Sequence, residues 1–296
     1  MLERENVGGF YLDVMQGSSL PCYWTPHGHS AAGGTSMTEA MHGLTEYIFD
    51  AVKAQDPEAI ITGENPSEHM IDVIDGSLIG TLSRENTAPL FAAVYQDHIS
   101  RYGGEMSVGQ GDAFFIECAS LFVEGMQIGR FRLRPRSGAL SFQKPEHKEM
   151  LDFLGRLVGY YKQDAAKKFL AYGQLMRPLE FLKPLSMPML PYGQRHGTTG
   201  QVTQTGGRFP ALMPGVFRND QGELGIFVVT AGTEDLDFHA ELDPTRYGMA
   251  AQTILSMDTF GPDGASKNVL SKAKGAVPLK VALSAHDVTM FRLKHR

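Results

Sequence analysis

The sequence lacks most of the features that assign a protein quickly. Its 296 residues contain no run of 18 apolar residues, so nothing reads as a membrane-spanning helix. Two cysteines, Cys22 and Cys118, are too few for a disulfide framework or a zinc motif. Residues 1–15 lack the basic-then-apolar layout of a signal peptide. The motifs G-x-G-x-x-G, Walker A, H-E-x-x-H and G-x-S-x-G are all absent. That argues against nucleotide, metalloprotease and esterase chemistry. A basic excess is lacking too: 27 Lys and Arg against 33 Asp and Glu give a net charge of −6, which argues against nucleic-acid binding. The 33 glycines and 16 prolines follow no period, so a collagen-like or low-complexity chain is excluded. What remains is an ordinary globular composition, 42% hydrophobic and 20% charged.

Charge and proline divide the chain. Residues 1–185 carry 16 Lys and Arg against 23 Asp and Glu, whereas residues 186–296 carry 11 against 10. Residues 183–191 (KPLSMPMLP) are proline-rich and follow a long helical pattern, as a linker would. The expected domains are therefore residues 1–184 and 185–296.

The first domain alternates short apolar runs with helical periods, the pattern of a mainly parallel sheet. Residues 7–15 (VGGFYLDVM) and 59–63 (AIITG) suit strands buried on both faces. Between them, Met37, Met41, Leu44, Ile48 and Val52 recur at helical spacing, and Ser36 with Glu39 forms a capping-box pattern. Asn65-Pro66 opens a second helix. Residues 78–80 and 89–95 read as further strands. Residues 114–128 hold a helix and a strand, and 146–172 one helix between Pro145 and Gly173. This is about five strand–helix units, where a full (β/α)₈ barrel needs about 250 residues. The expected fold class is thus α/β: the C-terminal part of a (β/α)₈ TIM-like barrel, about strands 4 to 8, followed by an all-β sandwich. The sandwich is read from short strands at 217–230, 276–283 and 288–293, separated by Gly, Asp and Pro turns.

In parallel barrels the chemistry stands at the C-terminal ends of strands. Asp13 interrupts the first apolar run near its end, and Glu64 closes the second. A carboxylate there is costly unless paired or hydrogen-bonded, so the placement is informative. Two such groups facing one another are the equipment of a glycosidase. A structural Asp or an extra helix cap is the plain alternative. The loop 16–35 is unusually long and holds the only Trp, so it is a second candidate feature. Tyr23 and Trp24 suit stacking on a sugar ring, and His27 and His29 suit hydroxyl binding. Tyr95 and His98 follow the apolar run that ends at Val94, and Glu124 stands at what reads as another strand end. No metal set and no cofactor are expected.

The stretches GFYLDVM, PCYWTPHGHSAAGGT, ITGEN and PLFAAVY together resemble an uncharacterised bacterial glycoside-hydrolase-like family, a domain of unknown function. That family is similar to α-amylase-like and endo-α-N-acetylgalactosaminidase barrels. The resemblance implies that Asp13 is the nucleophile at the fourth strand and Glu64 the acid/base at the fifth. Amylase-type enzymes carry Arg two residues before the nucleophile. Here that residue is Tyr11, a candidate substrate contact. The implied function is retaining cleavage of a glycosidic bond in a carbohydrate substrate. Starting at the fourth strand implies a truncated barrel, completed by another chain or a second copy. The alternatives are a catalytically incompetent fragment and a non-catalytic carbohydrate-binding protein.

Overall fold

The computed structural model describes residues 7–14, 21–24, 26, 28–29, 31, 35–65, 67–79, 88–132, 144–179, 188–195, 202–250 and 255–295. It is a mixed α/β structure with a parallel sheet and separate antiparallel sheets. Two compact units emerge: residues 1–80 with 98–102, and residues 81–97 with 103–296. The expected boundary at 184/185 lies outside the described residues.

The first unit is built on β1 (Gly9–Leu12), β2 (Ile60–Glu64) and β3 (Gly76–Ile79), which pair in parallel in that order. The crossover from β1 to β2 is helix α1 (Ser36–Gln55). The first residues of β4 (Ser100–Ser107) also belong to this unit. Helix α1 starts one residue from the expected box. Its N-cap is Thr35, whose backbone carbonyl accepts from the Glu39 amide at 2.8 Å and whose hydroxyl donates to the Glu39 carboxylate. Its inward line is Met41, Thr45, Ile48 and Val52, while Met37 and Leu44 are exposed. The helix expected after Asn65 is a single 3-10 turn, Glu68–Met70. Pro66, the residue expected to start it, lies outside the described residues.

The second unit holds the rest of β4, then α2 (Leu90–Tyr95), α3 (Ala113–Val123), β5 (Gln127–Arg132), α4 (Pro145–Tyr161) and α5 (Asp164–Leu170). The run at 89–95, expected as a strand, is therefore a helix. Short apolar runs carry no usable period, and here Pro89 offers its carbonyl to the Ala93 amide at 2.8 Å, closing a helical turn. The expected helix over 146–172 is two helices, broken at Lys162 and Gln163.

Ten further strands follow: β6 (Gln174–Leu175), β7 (Met189–Arg195), β8 (Val202–Pro210), β9 (Leu212–Arg218), β10 (Leu224–Thr230), β11 (Leu236–Leu242), β12 (Leu255–Phe260), β13 (Ser266–Ala273), β14 (Val277–Leu283) and β15 (Val288–His295). Six make one sheet in the order β13-β12-β15-β10-β9-β6, while β11 pairs with β14 and β7 with β8. Leu224, Ile226 and Val228 of the large sheet share a buried core with Phe238, Ala240, Val277, Leu279 and Val281 of the β11–β14 pair. On the other face of β10, Phe227 meets Phe122 of α3 and Tyr160 of α4 edge-on, with ring centres 5.5 and 5.8 Å apart. Two glycines permit this close packing. A Cβ at Gly225 would lie 2.5 Å from the Phe169 ring, and one at Gly215 would lie 2.5 Å from the Val123 carbonyl oxygen.

Candidate functional site

The two carboxylates singled out in the sequence occupy equivalent places on neighbouring parallel strands. Tyr11 pairs with Thr62 and Leu12 with Gly63, the last matched pair. The next residue along each chain is Asp13 on one side and Glu64 on the other. Neighbouring strands run about 4.8 Å apart, and residues matched in register share a face. Asp13 is exposed and Glu64 half-buried.

The backbone breaks in the same way after each of them. Val14 follows Asp13 with φ 62°, and Asn65 follows Glu64 with φ 64°. Both are left-handed, a region that costs an L-residue about 1–2 kcal/mol. Asn tolerates it, whereas a β-branched Val there is a clear outlier. Strain of this kind collects at functional sites. The turn after Glu64 is fastened by the Asn65 amide, which donates to the Leu78 carbonyl at 2.9 Å.

Thr62, two residues before Glu64, belongs to the same sheet face. The Tyr102 phenol of β4 donates to its hydroxyl at 2.9 Å. Gly76 of β3 is matched with Thr62, and a Cβ there would lie 3.2 Å from the Thr62 methyl group. Neither Thr62 nor Tyr102 is among the candidates read from the sequence. The one signal there is the parity of Thr62 with Glu64 along β2.

Residues 1–106 match a domain of unknown function, DUF6259. No curated protein matches the sequence. Among solved structures, the chain is similar to alpha-galactosidase I from Mortierella vinacea: 9% identity, TM-score 0.46, covering 89% of this chain and 64% of that one. It is similar to an Anoxybacillus alpha-amylase at 11% identity and TM-score 0.45, covering 86% and 56%. It is similar to a Nostoc punctiforme debranching enzyme at 13% identity and TM-score 0.43, covering 96% and 56%. The chain thus spans less than two thirds of the length of each of these three structures.

The remaining candidates are spread over both units. Tyr11, Tyr23, Trp24, His29 and His98 belong to the first unit. Four of them are exposed and His29 is half-buried. Tyr23 and Trp24 are 72% and 65% exposed, unusual for adjacent large aromatics. His27 lies outside the described residues. Tyr95 and Glu124 belong to the second unit, and neither ends a strand. Tyr95 is the last residue of α2, with its ring 5.0 Å from Phe91. Glu124 caps the C-terminus of α3.

The second unit also holds polar groups deep in its interior. Glu117, 5% exposed, accepts from Gln110 Nε2 at 2.8 Å. Burial, reinforced by the charge of Glu117 and a hydrogen bond to it, pushes the Tyr192 phenol well above its ordinary range. His286 is buried, left-handed at φ 48°, stacked on Phe115 and bonded through Nδ1 to Glu149 at 2.6 Å.

Proposed function

We propose that this chain is a glycoside-hydrolase-type protein that cleaves a glycosidic bond with retention of configuration. The supporting observation is the matched pair of strand-end carboxylates, each followed by a left-handed residue. In this reading Asp13 attacks the anomeric carbon and forms a covalent glycosyl-enzyme. Glu64 gives its proton to the departing glycosidic oxygen. Glu64 then takes a proton from water as that water attacks the anomeric carbon and releases Asp13. Retention of this kind needs the two carboxyl groups about 5–5.5 Å apart. Neighbouring parallel strands of the first unit supply a backbone spacing that suits it.

Tyr11 and Thr62 form the adjacent part of the same sheet face. Tyr23 and Trp24 are read as stacking surfaces for the sugar, and His27, His29 and His98 as hydroxyl ligands. In the same reading, the parallel strands with their helices are the C-terminal part of a (β/α)₈ barrel, and the antiparallel sheets are a β-sandwich after it. No cofactor enters the reaction.

The exposure of Tyr23 and Trp24 favours a second reading, a carbohydrate-binding protein that does not cleave. The experiment is a panel of aryl glycosides with wild type and Asp13→Asn, read beside sugar binding by calorimetry. Turnover that disappears in the variant supports the enzyme. Binding without turnover supports the second reading.

A further inference from the structure

The sheet of the first unit has two unlike faces. In β2, Ile61 and Gly63 are buried, while Ile60, Thr62 and Glu64 are exposed or half-buried. Glu64 therefore stands on the more open face, together with Thr62. Gly76 of β3 is matched with Thr62, and Ser100 of β4 flanks Gly76 on its other side. A Cβ at Gly76 would lie 3.2 Å from the Thr62 methyl group, 3.2 Å from the Ser100 carbonyl oxygen and 3.7 Å from the Ser100 Cβ, so these residues share the face. Tyr102 follows Ser100 by two along β4 and projects to the same side. All of them belong to the first unit.

The Tyr102 hydrogen bond is notable for its reach. The phenol donates to Thr62 Oγ1 at 2.9 Å, yet β2 and β4 are not neighbours, because β3 runs between them. Neighbouring strands lie about 4.8 Å apart, so the ring has to lie across β3 rather than stand up from the sheet. Gly76 leaves the room for it, since any side chain there would rise between Ser100 and Thr62. Gly76 is not among the glycines with positive φ, so the strand uses its small size and not its backbone freedom. The Thr62 hydroxyl passes the line on, donating to the Phe10 carbonyl of β1 at 3.5 Å. Tyr102 is half-buried, so its ring is not sealed off.

We propose that the Tyr102 ring is the floor of the sugar site, the surface on which a pyranose ring lies beside Glu64. Thr62 is a positioning residue that acts through Tyr102. This rests on the reading of Asp13 and Glu64 as a sugar site. A ring lying across the sheet presents its electron-rich face, which suits the C–H face of a pyranose, whereas a standing ring would present its edge. The bond to Thr62 fixes the ring before the sugar arrives, so less ordering is left to binding. The phenol oxygen, while it donates to Thr62, keeps lone pairs with which to accept a sugar hydroxyl.

The test is equilibrium binding of the methyl glycosides of galactose, glucose, mannose and N-acetylgalactosamine, both anomers, to the full chain. Ligand-observed NMR reads it, and aryl-glycoside hydrolysis is assayed on the same samples. Wild type binds at least one of the methyl glycosides. Tyr102→Ala weakens that binding about tenfold or more. Tyr102→Phe and Thr62→Val each weaken it about threefold, and the pair weakens it no further, because both remove the same bond. These two variants keep the ring and the branched side chain, so they fold even where Tyr102→Ala does not. Tyr102→Ala or Tyr102→Phe binding as wild type overturns the floor, and so does a wild type that binds none of the methyl glycosides. Additive losses in the pair overturn the role of Thr62. Binding that depends on Tyr102 without any hydrolysis sustains the floor and defeats the proposed cleavage instead.

Discussion

Single residues carry the sharpest consequences. In the proposed retaining mechanism Glu64 is the acid/base, and Glu64→Gln then lowers kcat by about 10²–10⁴-fold on poor leaving groups, the usual share of proton transfer. The loss is smaller on activated aryl glycosides, whose leaving group needs no proton, and comparing the two substrates measures it. The left-handed residues give a stability test that is independent of turnover. Val14 is 53% exposed, so little packing is lost with its side chain. Glycine relieves about 1–2 kcal/mol of backbone strain at the cost of about 0.5–1 kcal/mol of chain entropy. Val14→Gly is therefore neutral or stabilising by up to about 1 kcal/mol in urea unfolding, where an ordinary Val→Gly change destabilises. Asn65→Gly moves stability less, because Asn already tolerates that conformation. Asp258 sets an acid limit. Burial would raise its carboxyl, but hydrogen bonds from Lys294, Asn268 and Arg292 outweigh that and hold it at about 2. Its folded value lies below the unfolded one, so its contribution is complete above about pH 4 and fades as pH falls toward 2. Asp258→Asn should destabilise at pH 7 by about 1 kcal/mol, and by progressively less below about pH 4, in urea unfolding repeated across that range.

At the scale of elements, packing decides where local pattern does not. Gly225→Ala drives a methyl against the Phe169 ring, and Gly215→Ala drives one into the Val123 backbone. The ring can shift and the backbone cannot. Both changes destabilise by about 1–3 kcal/mol, Gly215→Ala by the larger amount, in equilibrium unfolding. The elements also show which signals are readable. β1 and β2 fall where apolar runs each close on a single acid, but the burial on both faces expected of them is not found: β1 has no buried residue, and in β2 buried Ile61 and Gly63 alternate with exposed or half-buried Ile60, Thr62 and Glu64. The run at 89–95 is ambiguous because seven residues with hardly a polar group among them suit either state, and Pro89 closes a helical turn there. On α1 the expected apolar stripe merges two lines, since Met37 and Leu44 share helical spacing with Met41 and Ile48 but not their burial. β11 alternates apolar and polar residues over Leu236–Leu242, the pattern of a half-buried strand, although no continuous run marks it. β12 and β13 carry neither a continuous apolar run nor a strict alternation.

Over the whole molecule, the strand-end acids can be found in sequence because charge at the end of an apolar run is local information. The partners around them are not local. Thr62 meets Tyr102 across 40 residues, and His286 meets Glu149 across 137, distances at which a single sequence gives no pairing. In the proposed mechanism Asp13 and Glu64 act together on a sugar acetal. The most direct measurement is proton NMR of the first-formed sugar during aryl-glycoside hydrolysis by the full chain, with Asp13→Asn in parallel. The expected result is a product anomer of the same configuration as the substrate and no turnover in the variant. An inverted product, or hydrolysis undiminished in Asp13→Asn, would contradict it.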